Sequence, residues 1–241
     1  MEAALRADGV TLERIFVDAA VDRDGITAAA GAANVPIVVV DERSMRSLAQ
    51  TQHPQGVIAV ARFFHRSIAG LADAVGRGGD ACLVAVLHEI NDPGNAGTLM
   101  RSAEALGARA VACGIAGVDP YNDKVVRASM GSMFHLPLFC YDEWPQFAGA
   151  AREAALQIVA AEAGAPDVRS VTLPARTALV VGHERRGLAG VPGGDIAMRV
   201  GIPQSSRADS LNAAVAGSIV MYEIARASGC LPTAPPRTND V

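Results

Sequence analysis

Short β-branched apolar runs alternate with Ala-rich or amphipathic segments along most of this chain, which restricts it to layered α/β folds built on parallel strands. Runs at 14–17, 37–40 and 57–61, separated by expected helices at 25–33 and 42–50, make a small α/β unit ending near His65. Residues 66–80, with Gly76, Gly78 and Gly79, read as a linker holding one helical turn. A larger unit spans 81–229, with strands expected at 82–87, 110–113, 136–139, 158–160, 178–181 and 198–202. Helices are expected at 96–106, from an Asp119-Pro120 start to about Met130, at 143–156, and at 211–227. Residues 230–241, with three prolines in the five residues from Pro232, read as a disordered tail.

Composition narrows the function classes. The chain has 241 residues, half of them hydrophobic, and a net charge of −4. That is enough apolar material for a buried core, and the overall charge advertises no nucleic-acid partner, so any phosphate-binding surface must be local. No apolar stretch approaches the roughly 18 residues of a membrane span, and the first residues carry acids where a leader would be basic; the expected location is the cytoplasm. Cys82, Cys113, Cys140 and Cys230 are widely spaced, with no C-x-x-C pair, and the histidines are scattered, so no structural metal is expected.

Three segments of the larger unit place polar residues just beyond an apolar run, where open parallel sheets collect ligands. In the first, starting at Asn91, Gly94 and Gly97 permit a tight turn, Asn95 can cap the following helix, and Arg101 and Glu104 sit one turn apart. Alone, this is equally a capped helix with a surface Arg–Glu pair. The second carries Gly182, Glu184 and Gly187, either a loop that approaches a ligand closely or an ordinary glycine turn. The third runs from Ile202-Pro203 to Ser210-Leu211-Asn212, where Ser210 can cap the last helix. Two phosphate-binding patterns are absent: residues 94–97 do not satisfy G-x-G-x-x-G, and no G-x-x-x-x-G-K-[ST] occurs, which removes the usual support for a dinucleotide or ATP enzyme.

In order and spacing, Asn95-x-Gly97-x-x-x-Arg101, Gly182-x-Glu184-x-x-Gly187-Leu188 and Ile202-Pro203 with Ser210-Leu211-Asn212 resemble the SpoU branch of the SPOUT methyltransferases, RNA ribose 2′-O-methyltransferases. The resemblance implies a parallel α/β sheet with a C-terminal trefoil knot, S-adenosylmethionine as cofactor, a homodimer, and no metal. Residues 1–65 are similar to the small L30e-like RNA-binding domain that many such enzymes carry, with His53-Pro54-Gln55-Gly56-Val57 at its junction, although the chain starts where that domain's first helix would be half complete.

By resemblance, Gly182, Ile202, Gln204 and Leu211 hold the cofactor, Arg101 is the catalytic arginine, and Asn95, Glu184, Ser210 and Asn212 orient Arg101 and the ribose. A guanidinium resists deprotonation, so phosphate binding and alkoxide stabilisation suit Arg101 better than a base's role. The family usually continues Ser-Leu-Asn with Val-Ser, whereas Ala213-Ala214 follow here. Lys124, Arg127, Arg185 and Arg186 are candidate RNA contacts, joined in the small domain by Arg43, Arg46, Arg62 and Arg66. Aromatics are too few for an extensive stacking platform, which favours structured RNA; ribosomal RNA is preferred over transfer RNA. The alternative is a non-catalytic RNA-binding or ribosome-assembly protein on the same fold.

Overall fold

Strand β5 (Cys82–Leu87) is buried along its whole length, and its side chains alternate between two cores. Leu83, Ala85 and Leu87 enter one core, while Cys82, Val84 and Val86 enter the other. A strand buried on both faces belongs inside a parallel sheet covered by helices on each side. The computed structural model, which describes residues 2–21, 24–49, 51, 54–205 and 210–231, has that architecture.

The smaller unit contains α1 (Glu2–Arg6), β1 (Leu12–Asp18), α2 (Asp24–Ala32), β2 (Ile37–Val40), α3 (Glu42–Leu48) and β3 (Val57–Ala61). Its sheet has the order β2-β1-β3, with β1 parallel to β2 and antiparallel to β3. Ile15 and Val17 of the central strand are fully buried, beside Ala30.

The larger unit contains β4 (Arg66–Ser67), α4 (Leu71–Val75), β5, α5 (Pro93–Ala105), β6 (Ala110–Gly114), α6 (Asp123–Ala128), β7 (Leu138–Tyr141), α7 (Trp144–Glu153), β8 (Gln157–Ala161), β9 (Arg176–Val181), β10 (Met198–Val200) and α8 (Ala213–Ser228). Seven strands, all parallel, lie in the order β10-β8-β9-β5-β6-β7-β4. Helices α5, α6 and α8 cover one face, and α4 and α7 the other. Late strand β9 inserts between β8 and β5, so the C-terminal ends of β5 and β9 lie side by side. That juxtaposition brings distant segments together at one rim of the sheet. Among the described residues, no helix is long and apolar enough to cross a membrane.

Several local expectations are corrected. The segment expected as a linker is built into the larger unit as far as Val75: β4 pairs with β7, and Ile68, Leu71, Ala72 and Val75 are buried. Their apolar spacing outweighs the glycines that follow. Helix α6 begins at Asp123, capped by the Asn122 side chain; Asp119 instead accepts the Tyr121 N–H at 2.9 Å and so closes its own turn. Gly97 makes no turn. It lies within α5, where a Cβ would stand 2.4 Å from Ala128 Cβ and 2.8 Å from Ser129 N, so its bare backbone permits the crossing with α6. His53 of the expected junction and the tail from Pro232 lie outside the described residues.

Arg176, at the start of β9, is 9% exposed. Its guanidinium donates to the carbonyls of Asp80 (2.8 Å), Gly76 (2.6 Å) and Ala154 (2.9 Å), with longer bonds to Val75 and Gly78. One buried cation thus ties the 75–80 segment and the end of α7 to the central strands. Arg176→Met, which keeps the stem and leaves those carbonyls unpaired, is expected to lower unfolding free energy by about 3 kcal/mol in urea titration.

Candidate functional site

At the rim where β5 and β9 end, one carboxylate gathers three partners. Glu184 Oε1 accepts the Asp92 N–H at 3.2 Å and the Asn95 side-chain amide at 3.1 Å, and Oε2 accepts the Asn91 N–H at 3.4 Å. Burial alone would raise the Glu184 pKa; the hydrogen bonds from Asn95 and from the backbone of Glu184, Asp92 and Asn91 outweigh it and hold the carboxyl below its ordinary range. The side chain is 24% exposed.

The chain of bonds continues through Asn95, itself only 7% exposed. Its Oδ1 accepts from Asn212 Nδ2 at 2.9 Å. Asn212 Oδ1 in turn accepts the N–H groups of Ala214 (2.9 Å) and Val215 (3.2 Å), which makes Asn212 the N-cap of α8. The three sequence segments therefore meet as Glu184, Asn95 and Asn212. Two expected caps change place: Asp92, not Asn95, caps α5 by accepting the Asn95 N–H at 2.8 Å, and Asn212, not Ser210, caps α8. The two asparagine amides face each other, so a backbone cap at α5 falls to the neighbouring carboxylate.

Beside this chain lies a cleft of about 340 Å³. Gly182, Glu184, Ile202, Gln204, Ser210 and Leu211 all line it, as do Arg185 and Arg186. The 183–187 loop is closed by paired backbone bonds between His183 and Gly187 of 3.0 and 2.8 Å. It packs so tightly on Gly182 that a Cβ there would stand 2.4 Å from the Gly187 carbonyl oxygen. Sequence reading missed the floor of the cleft, formed partly by Ala213, Ala216, Gly217 and Val220 of α8. Their helical spacing and small size were the available signal. It also missed Glu162, at the end of β8.

Arg101 stands apart from these groups. It is exposed on α5, and among the described residues it forms no hydrogen bond or ion pair. The alternative reading of a surface Arg101–Glu104 pair does not hold, since Glu104 faces His135 instead. Of the candidate RNA contacts, Arg127 is paired with Asp123 at 2.6 Å and Arg186 with Glu89 at 2.9 Å. Lys124 and Arg185 are exposed and carry no ion pair among the described residues. In the small unit, Arg46 is paired with Glu42 and Arg62 with Glu13. Among the described residues, no group of three His, Cys, Asp or Glu side chains could hold a metal ion.

A sequence model of the SpoU rRNA Methylase family matches residues 82–222, and one described as RNA 2'-O ribose methyltransferase substrate binding matches residues 1–66. The chain is 26% identical over 227 residues to a 23S rRNA (guanosine(2553)-2'-O)-methyltransferase of Bacillus subtilis, covering 93% of this chain and 84% of that protein. It is 34% identical over 151 residues to a 23S rRNA (uridine(2479)-2'-O)-methyltransferase of Streptomyces viridochromogenes, covering 59% of this chain and 53% of that one. The structure of an AdoMet-bound rRNA methyltransferase from Sinorhizobium meliloti superposes with a TM-score of 0.78 at 26% identity, covering 94% of this chain and 85% of the other.

The shift on Glu184 has a pH signature. With its folded pKa below the unfolded value, the carboxylate stabilises the fold fully above the ordinary carboxylate range, and this contribution disappears as pH falls through the lower folded value. Glu184→Gln is expected to cost about 1.5 kcal/mol at neutral pH. In urea titrations at descending pH, the gap between wild type and variant should close on the acid side.

Proposed function

The chain belongs to the SpoU rRNA methylase family, and from that premise we propose that it transfers the methyl group of S-adenosylmethionine to a ribose 2′-hydroxyl of structured RNA, with 23S ribosomal RNA as the substrate class. The observation that carries this reading is the cleft at the strand ends. Its lining unites Gly182, Ile202, Gln204 and Leu211, drawn from the loop after β9 and the segment before α8. These are the positions at which the family likeness expects cofactor contacts.

The residues present fit that cofactor. Apolar side chains of Ile202, Leu211 and Leu188 offer a surface for an adenine ring, and the bare Gly182 keeps the backbone open to close approach. S-adenosylmethionine supplies an electrophilic methyl carbon when bound. Glu184, Asn95 and Asn212 lock the loops that flank the cleft and hold their geometry before substrate arrives. The Arg101 guanidinium offers N–H donors to the phosphate beside the target ribose, and to the ribose oxygen as its proton leaves to water and charge develops there. Lys124 and Arg185, which carry no ion pair among the described residues, add phosphate contacts, while Arg127 and Arg186 would first exchange their carboxylate partners.

The reading includes a homodimer. Val215, Ile219 and Tyr222 form an exposed apolar stripe at helical spacing along α8, and exposed Leu211 lies just before its start. Arg101 belongs to the adjoining helix, because α5 packs on α8 through a 2.7 Å bond between the Ser102 and Ser218 hydroxyls. The trefoil knot implied by the family is part of the same reading, supported by the meeting of the 182–188 loop with Gly201, Ile202, Gln204, Ser210 and Leu211 in one cleft. Action on ribosomal RNA gives the chain a cytoplasmic place of work.

Transfer of labelled methyl from S-adenosylmethionine to ribosomal and transfer RNA, followed by nucleoside analysis, tests the proposal. Wild type should label 2′-O-methylated nucleosides in ribosomal RNA. Arg101→Ala should lower the rate about 100-fold or more with unchanged cofactor affinity. Cofactor binding without transfer to either RNA would leave the non-catalytic alternative. Ile219→Arg should convert dimers to monomers in sedimentation; unchanged sedimentation would remove α8 from the interface.

A further inference from the structure

Phe63 is 74% exposed, the most exposed of the large hydrophobic side chains among the described residues. It sits on the segment between β3 and β4, where the smaller unit passes into the larger one. Such a position commonly carries a side chain that shifts freely, yet here the backbone is pinned. The Tyr121 hydroxyl, from the loop before α6, accepts the N–H groups of Phe64 at 2.9 Å and His65 at 2.7 Å. The Phe63 ring rests against the Tyr121 ring at 4.7 Å between centroids and 44° between planes, with the His65 ring 6.3 Å away. Phe64 turns the other way, packing edge-on to Tyr121 at 5.3 Å and against Phe134 at 5.5 Å. Inward Phe64 anchors the crossing, and outward Phe63 presents a held aromatic surface to solvent.

The surrounding charge is cationic at the positions left free. Arg66 and Lys124, both exposed, carry no ion pair among the described residues. Arg66 follows Phe63 by three positions, and Lys124 follows Tyr121 by three. Of the nearby acids, Glu13 is paired with Arg62 at 2.9 Å and Asp123 with Arg127 at 2.6 Å, while Asp119 accepts the Tyr121 N–H at 2.9 Å and keeps its charge, one acid against the two cations. A flat aromatic surface whose neighbours in sequence include cations with no ion pair among the described residues suits a nucleobase with its backbone phosphates; it suits an acidic or apolar protein segment less well, since a lone ring offers no groove. Phe63 also falls within the region matched by the substrate-binding family model.

We infer that Phe63, braced by Tyr121, is a stacking platform for one unpaired nucleobase of the RNA substrate, with Arg66 and Lys124 holding the adjacent phosphates. This rests on the RNA-methyltransferase reading and adds to it a preference for RNA that offers an unstacked base, such as a bulge or loop, at the seam between the two units. A base in a continuous duplex keeps both faces stacked on its neighbours and has none to give the ring.

The test uses the full chain and two short hairpin RNAs, one perfectly paired and one carrying a single bulged 2-aminopurine, whose fluorescence is quenched on stacking. Wild type should bind the bulged hairpin more tightly and quench its fluorescence. Phe63→Ala should lose about tenfold in affinity for the bulged hairpin, and lose the quenching, while affinity for the paired hairpin and for S-adenosylmethionine stays unchanged. Phe63→Trp should restore both. Wild-type preference and quenching that persist in Phe63→Ala would overturn the platform and leave the RNA reading intact. Failure of wild type to bind either RNA would overturn both. A change in sedimentation of Phe63→Ala with unchanged RNA binding would assign the ring to a contact between copies instead.

Discussion

The rim of the larger unit depends on a single carboxylate that is worth more bonded than hydrated. Glu184 is partly buried, which opposes its charge, and remains charged because N–H groups of Asn91, Asp92 and Asn95 converge on it. The bond through Asn95 to Asn212 extends the constraint to α8. Loops after β5 and β9 and the start of the last helix thus have one relative geometry, and the cleft beside them inherits it. Remove the carboxylate and the amide of Asn95 and two backbone N–H groups lose their shared acceptor at once.

The sheet makes this arrangement available. Because β9 lies between β8 and β5, residues some ninety positions apart in sequence become neighbours at the strand ends. Buried strands supply rigidity below, and glycine at 182 lets the loop above fold back on itself. Arg101 lies outside that rigid assembly. Among the described residues Arg101 has no ion-pair partner, and an exposed arginine is kept hydrated at little cost. On the proposed reading, positioning falls to the locked cluster and charge stabilisation to the Arg101 guanidinium.

Much of the fold was legible because β-branched runs announce strands: 37–40, 57–61 and 82–87 match the observed bounds. The site was legible as three segments, and its cofactor-binding candidates fall around one cleft. Helix starts were less so, for a common reason. At Asp92/Asn95, Asp119/Asn122 and Ser210/Asn212 two residues near each start can cap; at α5 and α8 the choice is made by partners distant in sequence, since Glu184 and Asn212 occupy the Asn95 amide and Asn212 bonds both α8 and Asn95, whereas Asp119 is taken locally by the Tyr121 N–H. Residues 66–80 read as a linker because of Gly76, Gly78 and Gly79, although Ile68, Leu71 and Val75 already carry the spacing of a buried face. Nor could Arg176 be read as a clamp, since its five carbonyl partners come from two stretches of chain far from it in sequence, 75–80 and Ala154.

Diffraction from crystals of the full chain grown with saturating S-adenosylmethionine bears most directly on this account. The expected result is ligand density in the cleft beside Glu184, against the backbone of Gly182, Ile202 and Leu211, with the Glu184–Asn95–Asn212 bonds intact. Density at another place on the molecule, or a cleft that stays empty while calorimetry shows the ligand bound, would contradict it.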